Sequence, residues 1–202
     1  MALSFLAFGY KLSNESATAR VAVWRALKEL GAAPFQQGMS LLPERDGALA
    51  RLEELKAMVE AAKGSVNMAR LSFVHPADEE AFVETFKRLR DEEYSELEEN
   101  CERMIYELDR ETEKGRFAFS ELEEGEDEGA KLKRWAAKIE ARDFFHADGK
   151  VAAEAALEKA QTRLRKYSLE VYRHENKTES QGGLKPWEVR LISKGSTRGR
   201  RQ

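Results

Sequence analysis

The sequence predicts an α+β protein in which an N-terminal ferredoxin-like small sheet with two helices precedes a mainly α-helical half of long helices. Short apolar runs alternate with helical patterns up to about residue 76, and helical spacing dominates afterwards. Charged residues make up 35% of the chain, which suits long solvated helices. We therefore predict a ferredoxin-like module at 1–76, a long-helix module at 77–175 and a polar basic tail, expected to be disordered, at 176–202.

The first module reads as alternating strands and helices. A buried strand is predicted over 3–12, and a helix capped by Asn14 or Ser16 then runs to Leu30 and stops at Gly31. The expected inner stripe of this helix is Val21, Trp24, Leu27 and Leu30.

A second strand over 34–43 contains Gly38, which indicates a bulge or tight turn that could split the strand in two. Asp46 is expected to cap the second helix and Gly64 to end it, before a strand over 65–74. This order of strands and helices is typical of a ferredoxin-like module.

The second half is predicted to hold three long helices. The first starts at Asp78 and ends near Gly115, and the others cover about 130–145 and 150–172. The acidic segment 121–128 is interrupted by Gly125 and followed by Gly129, so we expect a flexible loop there.

Composition excludes several classes of protein. The net charge of −3 and the pI of about 5.8 disfavour a protein that coats nucleic acid indiscriminately, so any nucleic-acid contact must be local. The single cysteine, Cys101, allows no intrachain disulfide and fits a reducing, cytoplasmic environment. No apolar run approaches the ~18 residues of a membrane span.

Two blocks of sequence resemble a known bacterial family. The first is Arg20-x-x-x-Trp24-Arg25-x-Leu27-x-x-Leu30-Gly31-Ala32, followed by Gln36-Gln37-Gly38 and an apolar strand that ends at Pro43. The second comprises Arg90-x-x-x-Tyr94-x-x-Leu97, Phe119-Ser120-Glu121-Leu122, and Arg134-Trp135 leading to Arg142-Asp143-Phe144-Phe145. Over roughly residues 3–172 the chain resembles the N-terminal region of ChrB-type chromate-resistance regulators. The resemblance implies a chromate-responsive regulator that binds promoter DNA; longer members continue into a second domain that this sequence does not include.

A cationic edge is the first candidate site. Arg20, Arg25 and Lys28 on the first helix, with Lys11 before it and Arg45 after the following strand, could meet DNA phosphates, and the resemblance favours this use for Arg20 and Arg25. The alternative is ordinary solvated helix charge. In the tail, Arg198, Arg200 and Arg201 could also grip DNA, or could simply solubilise the chain.

Chromate is a tetrahedral dianion, so its binding needs two or more arginine or lysine donors. Arg134, Lys138 and Arg142 are spaced by four on one helix and form a candidate oxyanion-binding face. Because Glu140 and Asp143 lie nearby, ion pairing is the favoured alternative for these cations.

Other residues point to no chemistry of their own. Adjacent carboxylates such as Glu92-Glu93 are assigned to solvated helix faces, since neighbouring residues on a helix point apart. The three histidines are not brought together by any pattern, and Cys101, the sole candidate thiol for chromate reduction, is expected to be a buried small hydrophobe. We therefore predict no metal, no cofactor and no enzyme.

Three functions compete. The first is a chromate-responsive, DNA-associated regulator, expected to be a homodimer because regulators commonly read two-fold half-sites, although no confident helix-turn-helix is present. The second is a non-enzymatic dimerisation or protein-interaction module of a chromate-resistance system, which the acidic net charge favours. The third, a nuclease with a remotely similar ferredoxin-like fold, is disfavoured because residues 9–12 supply no aspartate for a metal at the end of the first strand.

Overall fold

The computed structural model describes residues 3–13 and 17–180, with side chains described up to residue 176. The strands are β1 (Phe5–Lys11), β2 (Ala33–Gln36), β3 (Met39–Pro43) and β4 (Ser65–Leu71). The helices are α1 (Ala17–Leu30), α2 (Ala48–Ala61), α3 (Pro76–Glu113), α4 (Phe119–Ala141) and α5 (Lys150–Ser180). The fold class is therefore α+β, with a small sheet first and long helices after it, as the sequence predicts.

The sheet is antiparallel, and its strand order is β2-β3-β1-β4. The predicted middle strand is indeed split, because Gly38 adopts a φ of 76° in the tight turn between β2 and β3. The resulting β-α-β-β-α-β order with β1 and β3 at the centre is the ferredoxin-like arrangement.

Both faces of the sheet are covered, so β1 is buried on both sides. Leu6 and Phe8 of β1 pack into a core with Val23 of α1 and with Leu52 and Val59 of α2. Phe5 and Ala7 face the other way, into an aromatic core whose further members are Ala33, Leu41, Phe82 and Phe86.

The chain divides into two compact units. Unit 1 comprises residues 1–98 and 134–154, and unit 2 comprises residues 99–133 and 155–202. The divisions fall within α3, α4 and α5, so each of these helices contributes to both units. The predicted boundary between a ferredoxin-like module and a long-helix module at residue 76 stays a prediction.

The described part of unit 2 is helical apart from the connection between α3 and α4 at residues 114–118. Its interior includes Cys101, Met104 and Leu108 of α3, Leu122 and Leu132 of α4, and Ala156, Ala160, Tyr167 and Val171 of α5. Cys101 is fully buried, as predicted.

The prediction of a loop at 121–128 is wrong, because these residues lie inside α4. A Cβ on Gly125 or Gly129 would lie 3.0 Å and 3.3 Å from the side chain of Leu164, so both glycines sit where helices pack closely. They are small packing residues and do not interrupt the helix.

Three smaller predictions also need correction. On α1 the buried residues are Val23 and Leu27, whereas Val21 and Trp24 are 45% and 57% exposed. The cap residue of α2 is Gly47, with a φ of 80° and no side-chain cap, in place of Asp46. Glu93 is 6% exposed and lies in the interior of unit 1, so its assignment to a solvated face is wrong.

Candidate functional site

The exposed cations of α1 and β1 lie in unit 1. Lys11 is at the end of β1, and Arg20, Arg25 and Lys28 follow on α1, all with exposed side chains. Arg20 donates a hydrogen bond from Nη2 to the carbonyl oxygen of Ser13 at 3.0 Å. Within the described residues neither Lys11 nor Arg25 forms an ion pair. These groups are accessible to a polyanion.

An indole lies among the α1 cations. Arg20, Trp24 and Lys28 are spaced by four residues and therefore share one helix face. Nζ of Lys28 lies 5.9 Å from the centroid of the Trp24 ring, within cation–π range. We call Arg20, Trp24, Arg25 and Lys28 the α1 face; it combines positive charge with an exposed aromatic surface.

The other predicted DNA-binding residues are placed differently. Arg45, between β3 and α2, stacks 4.4 Å from the Phe144 ring and donates from Nη2 to the Phe144 carbonyl oxygen at 3.0 Å. It is therefore tied to the segment after α4. Arg198, Arg200 and Arg201 lie outside the described residues.

The three predicted oxyanion-binding residues differ in their exposure to solvent. Arg134 and Lys138 are exposed on α4. Arg142, immediately after α4, has a side chain only 11% exposed. Its guanidinium donates two hydrogen bonds to Glu93, from Nε to Oε2 at 3.1 Å and from Nη2 to Oε1 at 3.0 Å. The bidentate geometry fits the planar fork of arginine.

Two further cations lie close to Glu93. Nη1 of Arg90, one turn earlier on α3, lies 3.2 Å from Glu93 Oε2, and Nζ of Lys28 lies 3.9 Å from Oε1. We call Lys28, Arg90, Glu93 and Arg142 the Glu93 cluster. The carboxylate of Glu93 thus pairs with three basic side chains, one from α1, one from α3 and one from the segment immediately after α4.

Arg90 is the least compensated member of the Glu93 cluster. Its side chain is 6% exposed, and within the described residues its Nη1 has no hydrogen-bond partner despite the nearby carboxylate. Burial lowers the pKa of its guanidinium, Arg142 lowers it further, and the charges of Glu93 and Asp143 oppose this shift.

A second set of contacts holds α3 against the segment after α4. The hydroxyl of Tyr94 donates to Oδ2 of Asp143 at 3.3 Å, and Asp143 accepts from the backbone N–H of Ala147 at 3.0 Å. Asp91 accepts from the N–H of Gly149 at 2.7 Å. Burial, together with the charge of Asp143, raises the pKa of Tyr94. These contacts position Arg142 opposite Glu93.

Three members of the Glu93 cluster, Lys28, Arg90 and Glu93, line a groove of about 430 Å³ in unit 1, whereas Arg142 does not. Its lining includes Tyr10, Trp24, Lys28, Arg90, Glu93 and Glu96. The groove therefore connects the α1 face with the buried charges, since Trp24 and Lys28 belong to its wall.

Unit 2 has a larger groove of about 580 Å³, and its lining includes six acidic side chains of α3 and α4. Glu111, on its wall, is 7% exposed and pairs with Arg110, Lys114 and Arg116 at 3.4, 3.1 and 3.7 Å. Its pKa is lowered chiefly by the hydrogen bond from Lys114. All these partners are close neighbours in sequence.

Sequence reasoning missed Arg90 and Glu93 as site residues. Both belong to charge-rich helix sequence, in which a single buried pair cannot be distinguished. A signal was available nevertheless, because the second block of the family resemblance contains Arg90 and Arg142, which both pair with Glu93. It also contains Tyr94 and Asp143, which are hydrogen-bonded to each other.

No group of three His, Cys, Asp or Glu residues suited to a metal ion occurs in the part of the chain described. Among the same residues, no helix has the length and apolar character needed to cross a membrane.

The chain is therefore an α+β protein in which a ferredoxin-like sheet module is followed by long helices. Its candidate site is a buried arginine–carboxylate cluster. The family model described as "Protein ChrB, N-terminal" matches residues 20–178, which is most of the chain. The chain belongs to this family. A search of curated proteins and a search of solved structures each found no match. Membership relates the chain to chromate resistance and to a regulatory role.

Proposed function

We propose that this protein is a chromate-responsive transcriptional regulator that acts at promoter DNA in the cytoplasm. The observation that carries the proposal is the family match over residues 20–178, because it relates the chain to a chromate-resistance regulatory family. The α1 face is our candidate for the DNA contact.

The chemistry of the α1 face supports this assignment. Arg20, Arg25 and Lys28 are exposed on one helix of an otherwise acidic protein, so a local basic surface is available for phosphates. Exposed Trp24 adds an apolar plane that can pack on sugar or base edges. The other proposed contacts are Lys11, Arg45 and the tail residues Arg198, Arg200 and Arg201.

A second candidate function is a dimerisation or protein-interaction module. Within the described residues β4 pairs only with β1, so its other edge is open for another strand. Tyr106, Leu169 and Tyr172 of the helical half are more than half exposed, which suits a protein partner. A homodimer would be compatible with either function.

Electrophoretic mobility shift or fluorescence anisotropy with DNA upstream of the protein's own gene tests the proposal. We expect specific binding relative to scrambled DNA of equal length, weakened by salt and released by chromate. Specific binding that chromate does not change would contradict the chromate response. Absence of specific binding at both low and high salt would contradict the regulator and favour the interaction module.

The double variant Arg20→Ala/Arg25→Ala tests the α1 face. Each lost phosphate contact should reduce the slope of log affinity against log salt by about 1, so the double variant should lose about 2. Arg51→Ala is the matched control, because Arg51 is an exposed arginine of α2 that pairs with Glu54. An unchanged slope in the double variant would exclude the α1 face from the contact.

A further inference from the structure

The larger groove, in unit 2, holds more negative charge than its own cations neutralise; we call it the acidic groove. Its wall carries six acidic and three basic side chains. Two of these cations are already paired, Arg110 with Glu111 and Lys131 with Glu128. The third cation of the wall is Arg103. The remaining carboxylates of the wall, which form no ion pair within the described residues, are Glu107, Glu121, Glu124 and Asp127.

Two cations beside the acidic groove must be included in this balance. Lys114 and Arg116 also pair with Glu111, although they do not line the groove. All the cations that meet Glu111 serve that one carboxylate, and acidic side chains stay in the majority when Lys114 and Arg116 are counted. The excess of negative charge therefore does not depend on how Glu111 is paired.

The acidic side chains of α4 are crowded on one face of the helix. Glu121, Glu124 and Glu128 are spaced by three and four residues, so they are neighbours on that face. Like charges at these spacings destabilise a helix, and only Glu128 has a cationic partner there. A positively charged occupant of the groove would remove this repulsion.

A buried oxygen on the wall points to an occupant independently of the charge. Glu111 is only 7% exposed, and its Oε2 is buried without a hydrogen-bond donor among the described residues. Nη1 of Arg116 lies 3.7 Å from this oxygen, which is too far for a hydrogen bond. Because buried side-chain oxygens are normally hydrogen-bonded, we expect a donor from outside the described residues.

The tail, residues 181–202, carries the opposite charge. It contains six basic residues and one acidic residue, so its net charge is +5 in a chain whose total is −3. Most of this charge lies in one segment, 190–201, in which serine, threonine and glycine separate the cations. The basic residues of that segment are Arg190, Lys194, Arg198, Arg200 and Arg201.

The tail is long enough to reach the acidic groove. Tyr167 of α5 lines the groove, and α5 ends at Ser180. At 1.5 Å per residue, this part of the helix is about 20 Å long. An extended chain covers about 3.3 Å per residue, so the link from Ser180 to Arg190 can span about 33 Å. The segment 190–201 can therefore return along the helix to the groove.

We propose that the acidic groove binds the basic segment 190–201 of the same chain. The arginines of the segment pair with the carboxylates of α4, which suits the planar fork of the guanidinium, and a donor of the same segment meets Oε2 of Glu111. Arg198, Arg200 and Arg201 are also proposed DNA contacts, so the groove and DNA would compete for the same side chains. This competition rests on the proposed function, whereas the docking does not.

Limited digestion with trypsin tests the docking in the full chain. Glu124→Gln/Asp127→Asn removes two negative charges from the groove wall, and Glu123→Gln/Glu126→Gln removes two from adjacent, exposed positions of α4 that do not line the groove. Mass spectrometry measures the rate of cleavage after Lys194 and after Arg198 in both variants and in the unsubstituted protein.

Glu124→Gln/Asp127→Asn should be cut about fourfold faster than the unsubstituted protein, because each lost exposed ion pair weakens the docking by about twofold. Glu123→Gln/Glu126→Gln should be cut at the unsubstituted rate. Equal rates for the two double variants would overturn the proposal, because the groove would then give the tail no protection.

Disulfide trapping tests which chain supplies the segment. Ser196→Cys is combined with Glu107→Cys or, as the matched control, with Glu102→Cys; both glutamates are exposed on α3, but only Glu107 lines the groove. The native Cys101 is fully buried and should not interfere. Under mild oxidation the Glu107→Cys pair should form an intrachain disulfide several-fold faster than the control pair.

Two results of the trapping experiment would contradict the proposal. Equal rates for the two cysteine pairs would mean that the segment does not dock in the acidic groove. A dimer-sized product that increases with protein concentration would mean that the tail of a second copy occupies the groove.

DNA binding separates the docking from its consequence. Glu124→Gln/Asp127→Asn should bind DNA upstream of the protein's own gene up to about fourfold more tightly than Glu123→Gln/Glu126→Gln does, because its tail is released. Equal affinities would contradict the competition. Absence of specific DNA binding in every variant would contradict the proposed function, while faster cleavage of the groove variant would still support the docking.

Discussion

Each unit buries one glutamate of α3 and surrounds it with three basic side chains, but the two arrangements differ in origin. The partners of Glu111 are Arg110, Lys114 and Arg116, all within five positions along the chain and 40–65% exposed. Glu93 is instead reached by side chains from three separate segments, and two of its partners are only 6% and 11% exposed.

The difference shows that the number of ion pairs says little about their importance. Exposed partners can be replaced by water and salt ions, so the Glu111 pairs contribute little and are readily screened. Two partners of Glu93, Arg90 and Arg142, have given up most of their water, so loss of the carboxylate leaves buried, uncompensated charge. The three predictions below test this contrast.

The largest effect is expected from Glu93→Gln. Breaking a buried ion pair by removing one partner costs about 3–5 kcal/mol of the free energy of unfolding, because the other charges stay buried. The same substitution at Glu111 should shift the urea midpoint only slightly. Urea unfolding followed by circular dichroism measures both, and equal losses would refute the contrast drawn between the two glutamates.

An intermediate effect on stability is expected from replacing the glycine that ends a helix in each unit. Gly31 and Gly115 end α1 and α3 in the left-handed region, with φ values of 79° and 66° and N–H bonds to the third residue before them. A Cβ at residue 31 would lie 2.7 Å from Cβ of Arg142, whereas one at residue 115 would meet nothing within 4 Å.

Gly115→Ala should therefore cost only the backbone penalty of about 1–2 kcal/mol. Gly31→Ala should cost clearly more, because it also pushes Arg142 away from Glu93. Urea midpoints compare the two variants. A smaller loss of stability for Gly31→Ala than for Gly115→Ala would contradict this prediction, because it would mean that the segment carrying Arg142 can shift without cost.

The smallest effect concerns the buried tyrosines, one in each unit. Tyr94 donates to the Asp143 carboxylate and Tyr167 donates to the Arg116 carbonyl oxygen at 2.8 Å. Burial raises the pKa of both hydroxyls, and the carboxylate of Asp143 raises that of Tyr94 further. A raised folded-state pKa gives stability that is present below the ordinary value of 10.0 and is lost as the pH rises through the folded pKa.

Stability should therefore fall above about pH 10, and Tyr94→Phe should flatten this alkaline decline more than Tyr167→Phe does. Urea unfolding at about pH 9 and about pH 11 measures the difference between the variants and the unsubstituted protein. A decline that is equally steep in all three proteins would mean that neither hydroxyl causes it.

Much of the fold follows from local sequence. The apolar runs of β1 and β4, the turn at Gly38 and the stop at Gly31 are all visible in the order of residues, because strands, turns and caps depend on near neighbours. The loop predicted at 121–128 failed for a physical reason: Gly125 and Gly129 make room for Leu164 of a distant helix. A glycine that interrupts a helix and one that allows close packing look alike in sequence.

The candidate site is only partly visible in the sequence. Lys28 and Arg142 could be selected as cations, but nothing in their spacing relates them to each other or to Glu93. The burial of Glu93 depends on three segments that meet only in the folded unit. Charge patterns along one helix therefore predict surface pairs well and buried clusters poorly.

The shared carboxylate of Glu93 also constrains how this chain can change over evolutionary time. A substitution at Arg90, Glu93 or Arg142 alone creates a buried charge without its counterpart, so single steps are selected against while joint replacements are tolerated. The partners of Glu111 can drift one at a time, because solvent takes over the role of any that is lost. Divergence within unit 1 should therefore proceed in coupled steps at these positions, whereas the surface pairs of unit 2 are free to turn over independently.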